Sequence, residues 1–324
     1  MFDRAAIKMK PLSMRQHDLD ISAISKLNPN ISKDKYNKFS VVAKRVVNAR
    51  GKCASIILMI GGHVIRAGVQ NYIIDLMEKG YISCIAMNGS VMIHDFEFAL
   101  VGATTESVNR YIKEGQFGLW EETGQINDFI NAGHRKGLGM GESVGEAIFR
   151  GKFPYKDISL LAAGYRLKIP MTIHVGIGYD IIHEHPNCEG AATGETSYRD
   201  FLYFAKIVEN MEYGVVMNFG SAVMAPEVFL KAISMSRNIA HQKRKDIKKF
   251  TAVVCDLHDL PDNYKVEPNK DSSAYYFRPW KTMLVRTVAD GGDSFYIKGK
   301  HSDTIPALWM AINEEEKLMK NEDS

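Results

Sequence analysis

A doubly wound, mostly parallel α/β sheet is the fold this chain predicts, and three observations predict it. Short apolar runs alternate with segments of helical period along most of the 324 residues. The runs are apolar on both faces, as strands covered by helices on either side must be. They stop at glycine or a small polar residue, and no linker divides the alternation, so one sheet accounts for it.

Residues 1–49 read as a polar, Lys- and Asn-rich extension with one helical stretch, and residues 50–324 as a single α/β domain. "ASIILMI" (54–60) is the first strand. "VIRAGVQNYIIDLMEKG" (64–80) is a helix with Val69, Ile73, Leu76 and Met77 on one face and Gly80 as its stop. "YISCIAM" and "VMIHDFEFALVG" repeat the unit, and further helical segments lead to "DISLLAAGYRLK" and the strand "PMTIHVGI". The helix "YRDFLYFAKIVENM", the strand "YGVVMNFG", the helix "PEVFLKAISMSRNIA" and the strand "FTAVVCDL" follow. "TMLVRTV" and "SFYIKGK" are candidate strands before a last helix from about Thr304. The turn-rich segment 261–274 is a surface loop or a lid.

Net charge is +3, from 41 basic and 38 acidic residues, so no overall field gathers nucleic acid or an anionic membrane. The basic stretch "HQKRKDIKK" (241–249) suits a solvated helix end. Four scattered cysteines without CxxC pairing, an N-terminus lacking an apolar core and no run of 18 apolar residues lead us to expect a cytoplasmic protein.

Ligands of open α/β sheets collect outside the carboxyl ends of the strands. There the sequence places Gly61, Gly62 and His63, then Asn88, Gly89 and Ser90, then Gly176, Gly178 and Asp180, then Asn218, Gly220 and Ser221, then Asp256 and His258. Neither GxGxxG after the first strand nor a Walker sequence is present. "GLGMGESVG" (137–145) falls between helices and reads as a helix-to-helix turn rather than a phosphate loop. In "MIHDFEFAL", His94 and Glu97 share a helix face while Asp95 and Glu97 diverge. A relay or ribose-orienting pair and a capped helix start are both open.

"HVGIGYDIIHEHPNCEGAATGETSYRDF" (174–201) raises a sharper choice. Asp180, His183 and His185 at D-x-x-H-x-H spacing suit a divalent metal. The glycine-rich remainder equally suits the wall of an organic-cofactor pocket.

The succession "GGHVIRAGVQNYIIDLMEKGYISCIAMNGSVMIHDFE", then "IPMTIHVGIGYDIIHEHPNCEGAATGETSYRDFLYFAKIVENM", then "NFGSAVMAPEVFLKAISMSRN" resembles deoxyhypusine synthases and their relatives. A related sheet occurs in the NAD-dependent ornithine cyclodeaminase domain. The resemblance implies a Rossmann-like sheet binding NAD across its strand ends, in a homotetramer or dimer. It implies cofactor contacts at Gly62, His63 and Gly68, at Asn88 and Gly89, at Gly220 and Ser221, at Cys255 and Asp256, and at Ser302 or Asp303; the strand-end reading adds Gly61 and Asp95 as cofactor candidates. The family's catalytic lysine lies in "WGK"; here the nearest candidate is Lys281 in "RPWKTML", and the family's "KHH" histidine is replaced by "PEVFLK". The expectation is therefore an NAD-dependent transferase or lyase, not a true deoxyhypusine synthase. Its substrate would be an amine, such as a polyamine, or a basic amino acid, oxidised to an imine. His183 and His185 are the candidate bases, Glu195 the next, Asp180 the ammonium-recognising carboxylate and Lys281 the imine-capturing amine, with no resident metal. The alternatives are a metal-dependent hydrolase using Asp180, His183 and His185, and a non-catalytic NAD-sensing protein.

Overall fold

The computed structural model describes residues 1–32 and 34–322. Its centre is a six-stranded sheet, all neighbours parallel: β1 (Ile56–Ile60), β2 (Cys84–Met87), β3 (Met171–Ile173), β4 (Val215–Phe219), β5 (Thr251–Asp256) and β6 (Asp293–Lys298). Their order is β3-β2-β1-β4-β5-β6. The chain winds outward from β1 to one edge, returns to β4 and winds outward to the other, so a topological switch point lies between β1 and β4.

Among the described residues, eleven α-helices are labelled in chain order. They are α1 (Lys38–Gly51), α2 (Gly62–Arg66), α3 (Gln70–Glu78), α4 (Gly89–Val101), α5 (Val108–Lys113), α6 (Gln125–Lys136), α7 (Met140–Arg150), α8 (Leu160–Leu167), α9 (Gly190–Val208), α10 (Met224–Gln242) and α11 (His301–Glu322). β1 shows why the strands read as unbroken apolar runs: Ile56, Leu58 and Ile60 enter the core on one face with α1, α3, α4 and α11. Ile57 and Met59 enter the other with α9 and α10. Alternation of side chains across a strand thus feeds two cores.

The local structure departs from the sequence expectation in three places. The helix from 64 to 80 is two helices, because Gly68 takes φ +69° and an added Cβ there would lie 1.8 Å from the carbonyl oxygen of Ala23. The N-terminal segment occupies that space. The helix expected from Tyr198 begins at Gly190, and its buried face starts with Ala192, Thr193, Thr196 and Ser197. Small and hydroxyl-bearing residues carry little periodic hydrophobicity, which hid that face. "TMLVRTV" is not a strand but part of a π-helical stretch, Pro279–Arg286. Proline opens it, and Trp280, Met283 and Leu284 at helical spacing pack into the second core.

Residues before α1 are woven into the domain. Leu12 joins Tyr111 and Trp120 in a small cluster, and Leu19–Asp20 pairs antiparallel with Ala103–Thr104. Among the described residues no helix is long and apolar enough to cross a membrane.

Candidate functional site

A cleft of about 320 Å³ opens at the carboxyl ends of β1, β2 and β3. Arg15 from the N-terminal segment, Arg66 at the end of α2, and Ser90, Ile93, His94 and Glu97 on α4 line it. Glu106, Phe117, Tyr179 and Asp180 contribute to the remaining wall.

Its floor is a buried ion pair. The side chains of Arg15 and Glu97 are 1% and 2% exposed, and the guanidinium meets the carboxylate through Nη1–Oε1 and Nη2–Oε2, both 2.8 Å. Thr123 donates to Oε1 at 2.8 Å and Thr104 to Oε2 at 2.6 Å, so four donors surround this carboxylate. Burial raises the pKa of Glu97, but the guanidinium and the hydroxyls outweigh it and the group titrates below its ordinary value. Thr104 Oγ1 also lies 2.9 Å from His94 Nδ1. Burial lowers the pKa of His94 to about 4, so its ring is neutral at pH 7.

Asp180 hangs over the start of α4. A Cβ on Gly89 would lie 2.2 to 2.5 Å from its carboxylate oxygens, so only glycine lets the two approach. Burial raises the Asp180 pKa to about 6. Next to it, His183 Nδ1 accepts from the backbone N–H of Gly178 and of Asp180, and Nε2 is enclosed without a hydrogen-bond partner.

The structure separates the other histidines and acids of segment 174–201. His185 is fully buried, with Nε2 on the carbonyl of Gly118 at 2.7 Å and Nδ1 against Gly124, and it supports the 116–124 loop rather than joining Asp180. His174 Nε2 meets Thr172 at 3.0 Å. Glu195 lies exposed on α9, paired with Arg199 and His134. Among the described residues, no group of three or more His, Cys, Asp or Glu side chains is placed to hold a metal ion.

Lys281 is buried against the ring of Tyr275, 3.6 Å from its centroid, and does not line the cleft. Asp95 faces α8, accepting from Ser159 Oγ and from the backbone N–H of Leu160 and Leu161, so its carboxylate anchors a helix start. Gly68 packs on the backbone of Ala23 and Ile24 in the N-terminal segment, and it does not line the cleft. Ser302 is exposed on the first turn of α11, 3.3 Å from Asp303 Oδ1.

The remaining strand-end residues do converge. Gly61 and Gly220 let the loops after β1 and β4 touch, an added Cβ on Gly61 falling 2.2 Å from the Gly220 oxygen. Gly62 fits against Ser90, and Asn88 caps α4 through Val91 N–H. Ser221 Oγ accepts from Ala225 N–H at the start of α10. Asp256 Oδ1 accepts from His258 and from Leu257 N–H. His63 is exposed, 3.5 Å from Arg66. His301 packs onto Gly220, and its Nδ1 is buried without a partner.

A larger cavity, about 610 Å³, lies at the opposite end of β3 around Pro170, Met171, Tyr165 and Tyr203. Its buried acid, Asp200, accepts from Gly141 and Ile173 N–H. The glycines of "GLGMGESVG" thus fit the chain's own carboxylate, with an added Cβ on Gly139 only 2.0 Å from Asp200 Oδ1.

Arg15, Arg66 and Glu106 were not legible as site residues. Arg15 lies in the polar extension, and contacts distant in sequence bring it to the cleft: the pairing of Leu19–Asp20 with Ala103–Thr104, the packing of Leu12 on Tyr111 and Trp120, and the bond from Gln16 N–H to the Tyr111 hydroxyl.

Residues 40–141 match the family model of the Rossmann-fold C-terminal domain of arginine dihydrolase ArgZ-like proteins. No curated protein matches the chain. A LOR/SDH protein from Methanococcus maripaludis S2 superposes with TM-score 0.52 at 14% identity, over 89% of this chain and 73% of that one. ArgZ, an arginine dihydrolase of the ornithine-ammonia cycle in Cyanobacteria, gives 0.51 at 14%, over 89% and 33%. AgrE in its ternary complex with ornithine and NAD+ gives 0.51 at 13%, over 90% and 34%. The chain therefore spans about a third of the length of ArgZ and AgrE. These likenesses establish the Rossmann-type fold. A deoxyhypusine synthase from Entamoeba histolytica superposes more loosely, at TM-score 0.43 and 11% identity over 81% and 76% of the two chains.

Proposed function

We propose that this chain is an NAD-dependent enzyme that oxidises a basic amino acid at a carbon bearing an amine. The observation that carries it is the presence of both signs of charge in one cleft at the strand ends. Arg66 forms no ion pair among the described residues and is free to take a carboxylate, while Asp180 offers acceptors to an ammonium group and Glu106, whose oxygens accept from Gly118 N–H and Trp120 Nε1–H, adds negative charge to the wall. Arg15 is committed to Glu97 and contributes structure rather than a ligand contact. The complex of AgrE with ornithine and NAD+, on the same type of sheet, supports the same ligand classes.

The strand ends fit a dinucleotide. His301 Nδ1 is buried without a partner beside Gly220, at the switch-point side of the sheet, and would meet a polar group of the cofactor. Gly61, Gly62, Asn88, Gly89, Gly220, Ser221 and Asp256 would form the rest of the cradle, although β2 ends in Asn88 rather than the acid common in dinucleotide folds. A bound nicotinamide supplies the hydride acceptor.

Asp180 orients the substrate amine and, with its pKa raised to about 6, exchanges a proton near neutrality. His183, whose Nε2 lacks a partner beside it, is the second proton carrier. Lys281, set against Tyr275, captures no imine in this scheme, which favours release of the oxidised product over transfer to a lysine.

The test is calorimetric titration of the purified protein with NAD and with L-ornithine, L-arginine and L-lysine. Saturable binding of NAD and of at least one amino acid is expected, with the amino acid weakened about tenfold or more in Asp180→Asn. Absence of NAD binding would overturn the assignment.

A further inference from the structure

We propose that His94 is a specificity-determining residue that receives an ammonium N–H of the ligand on a lone pair fixed at Nε2, with Thr104 and Glu97 as the positioning residues that fix it. This role rests on the cleft being an amino-acid site.

The deduction follows from which atoms can donate. Glu97 is paired with Arg15 and has only acceptor capacity, so the 2.6 Å contact with Thr104 must use the threonine hydroxyl proton. That proton is thereby committed, and Thr104 Oγ1 has only lone pairs left for His94. The 2.9 Å contact therefore requires the proton of the imidazole to sit on Nδ1. The other tautomer would set two lone pairs against each other inside the fold. A neutral ring with its proton on Nδ1 has a bare lone pair on Nε2, which among the described residues is bonded to no protein group.

Several features keep that lone pair available. Ring position is fixed on one side by Gly62, whose added Cβ would come within 3.3 Å of His94 Cδ2. Protonation of Nε2 is opposed chiefly by burial; Glu97 favours it, and Arg66, Arg15 and His63 oppose it. Ser90, one helical turn away on α4, gives its hydroxyl proton to Asn88 Oδ1 at 3.0 Å and presents acceptor capacity on the same wall. With the Asp180 carboxylate and the negative charge of Glu106, the cleft becomes an acceptor-rich pocket in which Arg66 carries a positive charge that makes no ion pair among the described residues. Such a pocket discriminates against ligands that present a carboxylate where the ammonium should be.

The relay can be tested apart from turnover. Long-range proton–nitrogen NMR of imidazole-labelled protein without ligand reads the tautomer directly, and the Nδ1–H form of His94 is expected. Thr104→Val should release the ring from that form, and Thr104→Ser, which keeps the hydroxyl, should restore it. Calorimetry with L-ornithine is then run on the wild type, Thr104→Val, Thr104→Ser and His94→Phe. Affinity is expected to fall about ten- to a hundredfold in the valine and phenylalanine variants and to recover in the serine variant, while NAD affinity stays within twofold in all. An Nε2–H tautomer in the wild type overturns the relay. Wild-type L-ornithine binding that survives both Thr104→Val and His94→Phe overturns the role of His94 and leaves the amino-acid site standing. No binding of L-ornithine to the wild type overturns the amino-acid site, and the recognition role with it.

Discussion

Replacing Arg15 with methionine removes a charge from one of the most enclosed polar sites in the protein. Glu97 would keep the hydroxyls of Thr123 and Thr104 but lose two charge-assisted bonds of 2.8 Å. At about 1.5–3 kcal/mol for each hydrogen bond to a charged group, the loss is roughly 3–6 kcal/mol. That agrees with the roughly 3–5 kcal/mol cost of breaking a buried pair from one side. With a urea m-value of about 3 kcal/mol/M, the unfolding midpoint should fall by about 1–2 M at unchanged m. Adding Glu97→Gln removes the orphaned charge; its amide oxygen accepts from one threonine hydroxyl and its NH2 donates to the oxygen of the other, so the double variant should be more stable than Arg15→Met alone. Trypsin should also cut after Lys8 sooner in Arg15→Met, since the segment is pinned through this pair. A loss below about 1 kcal/mol, or singles that simply add in the double variant, would refute the claim that the pair is a coupled buried unit.

The pH dependence of stability has two opposite contributions. Burial holds His94 near pKa 4 and His174 near 3, against 6.5 for a free imidazole, so the unfolded chain protonates first. Stability from these groups is complete above pH 6.5 and falls as pH drops toward 4, by up to about 1.4 kcal/mol per pH unit for each histidine. His174→Phe should flatten that acid limb in urea titrations, and an unchanged slope would count against it. Asp180 acts in reverse: its pKa rises from 3.8 to about 6 on folding, so its charge lowers stability as pH rises across that interval. Asp180→Asn should therefore stabilise the protein at pH 7.5 by up to about 3 kcal/mol while weakening amino-acid binding; destabilisation would contradict the burial argument. Gly89→Ala should destabilise by roughly 1–3 kcal/mol through collision with that carboxylate, whereas an open helical site would gain up to about 1 kcal/mol from the same change. A stabilised Gly89→Ala would show that Asp180 does not rest there.

The sheet was legible because its strands are apolar on both faces and end at Gly61, Asn88, Gly220 and Asp256, signals that need no partner to be recognised. Asp180 and Gly89 were legible for the same reason, since strand ends are where ligands gather. Arg15 was invisible because its partner, Glu97, comes after three strands and three α-helices of intervening chain. His185 looked like a ligand because D-x-x-H-x-H spacing says nothing about which way a ring turns, and this one turns toward Gly118. Lys281 followed the nearest tryptophan-lysine pair, but the π-helical stretch directs it to Tyr275. Pattern reports periodicity along one element, whereas donor and acceptor pairing across elements decides a site.

The placement of β1 between β2 and β4 also sets a schedule for synthesis. β2 follows β1 closely and can pair with it early, whereas β4 is made only after the whole of α4 to α9. Until Val215–Phe219 emerges, the other edge of "IILMI" offers unpaired backbone groups beside fully apolar side chains. A nascent chain halted in that window exposes a fully apolar strand with one unpaired edge, which makes the interval between the synthesis of β2 and that of β4 a period of aggregation risk that the finished fold does not share.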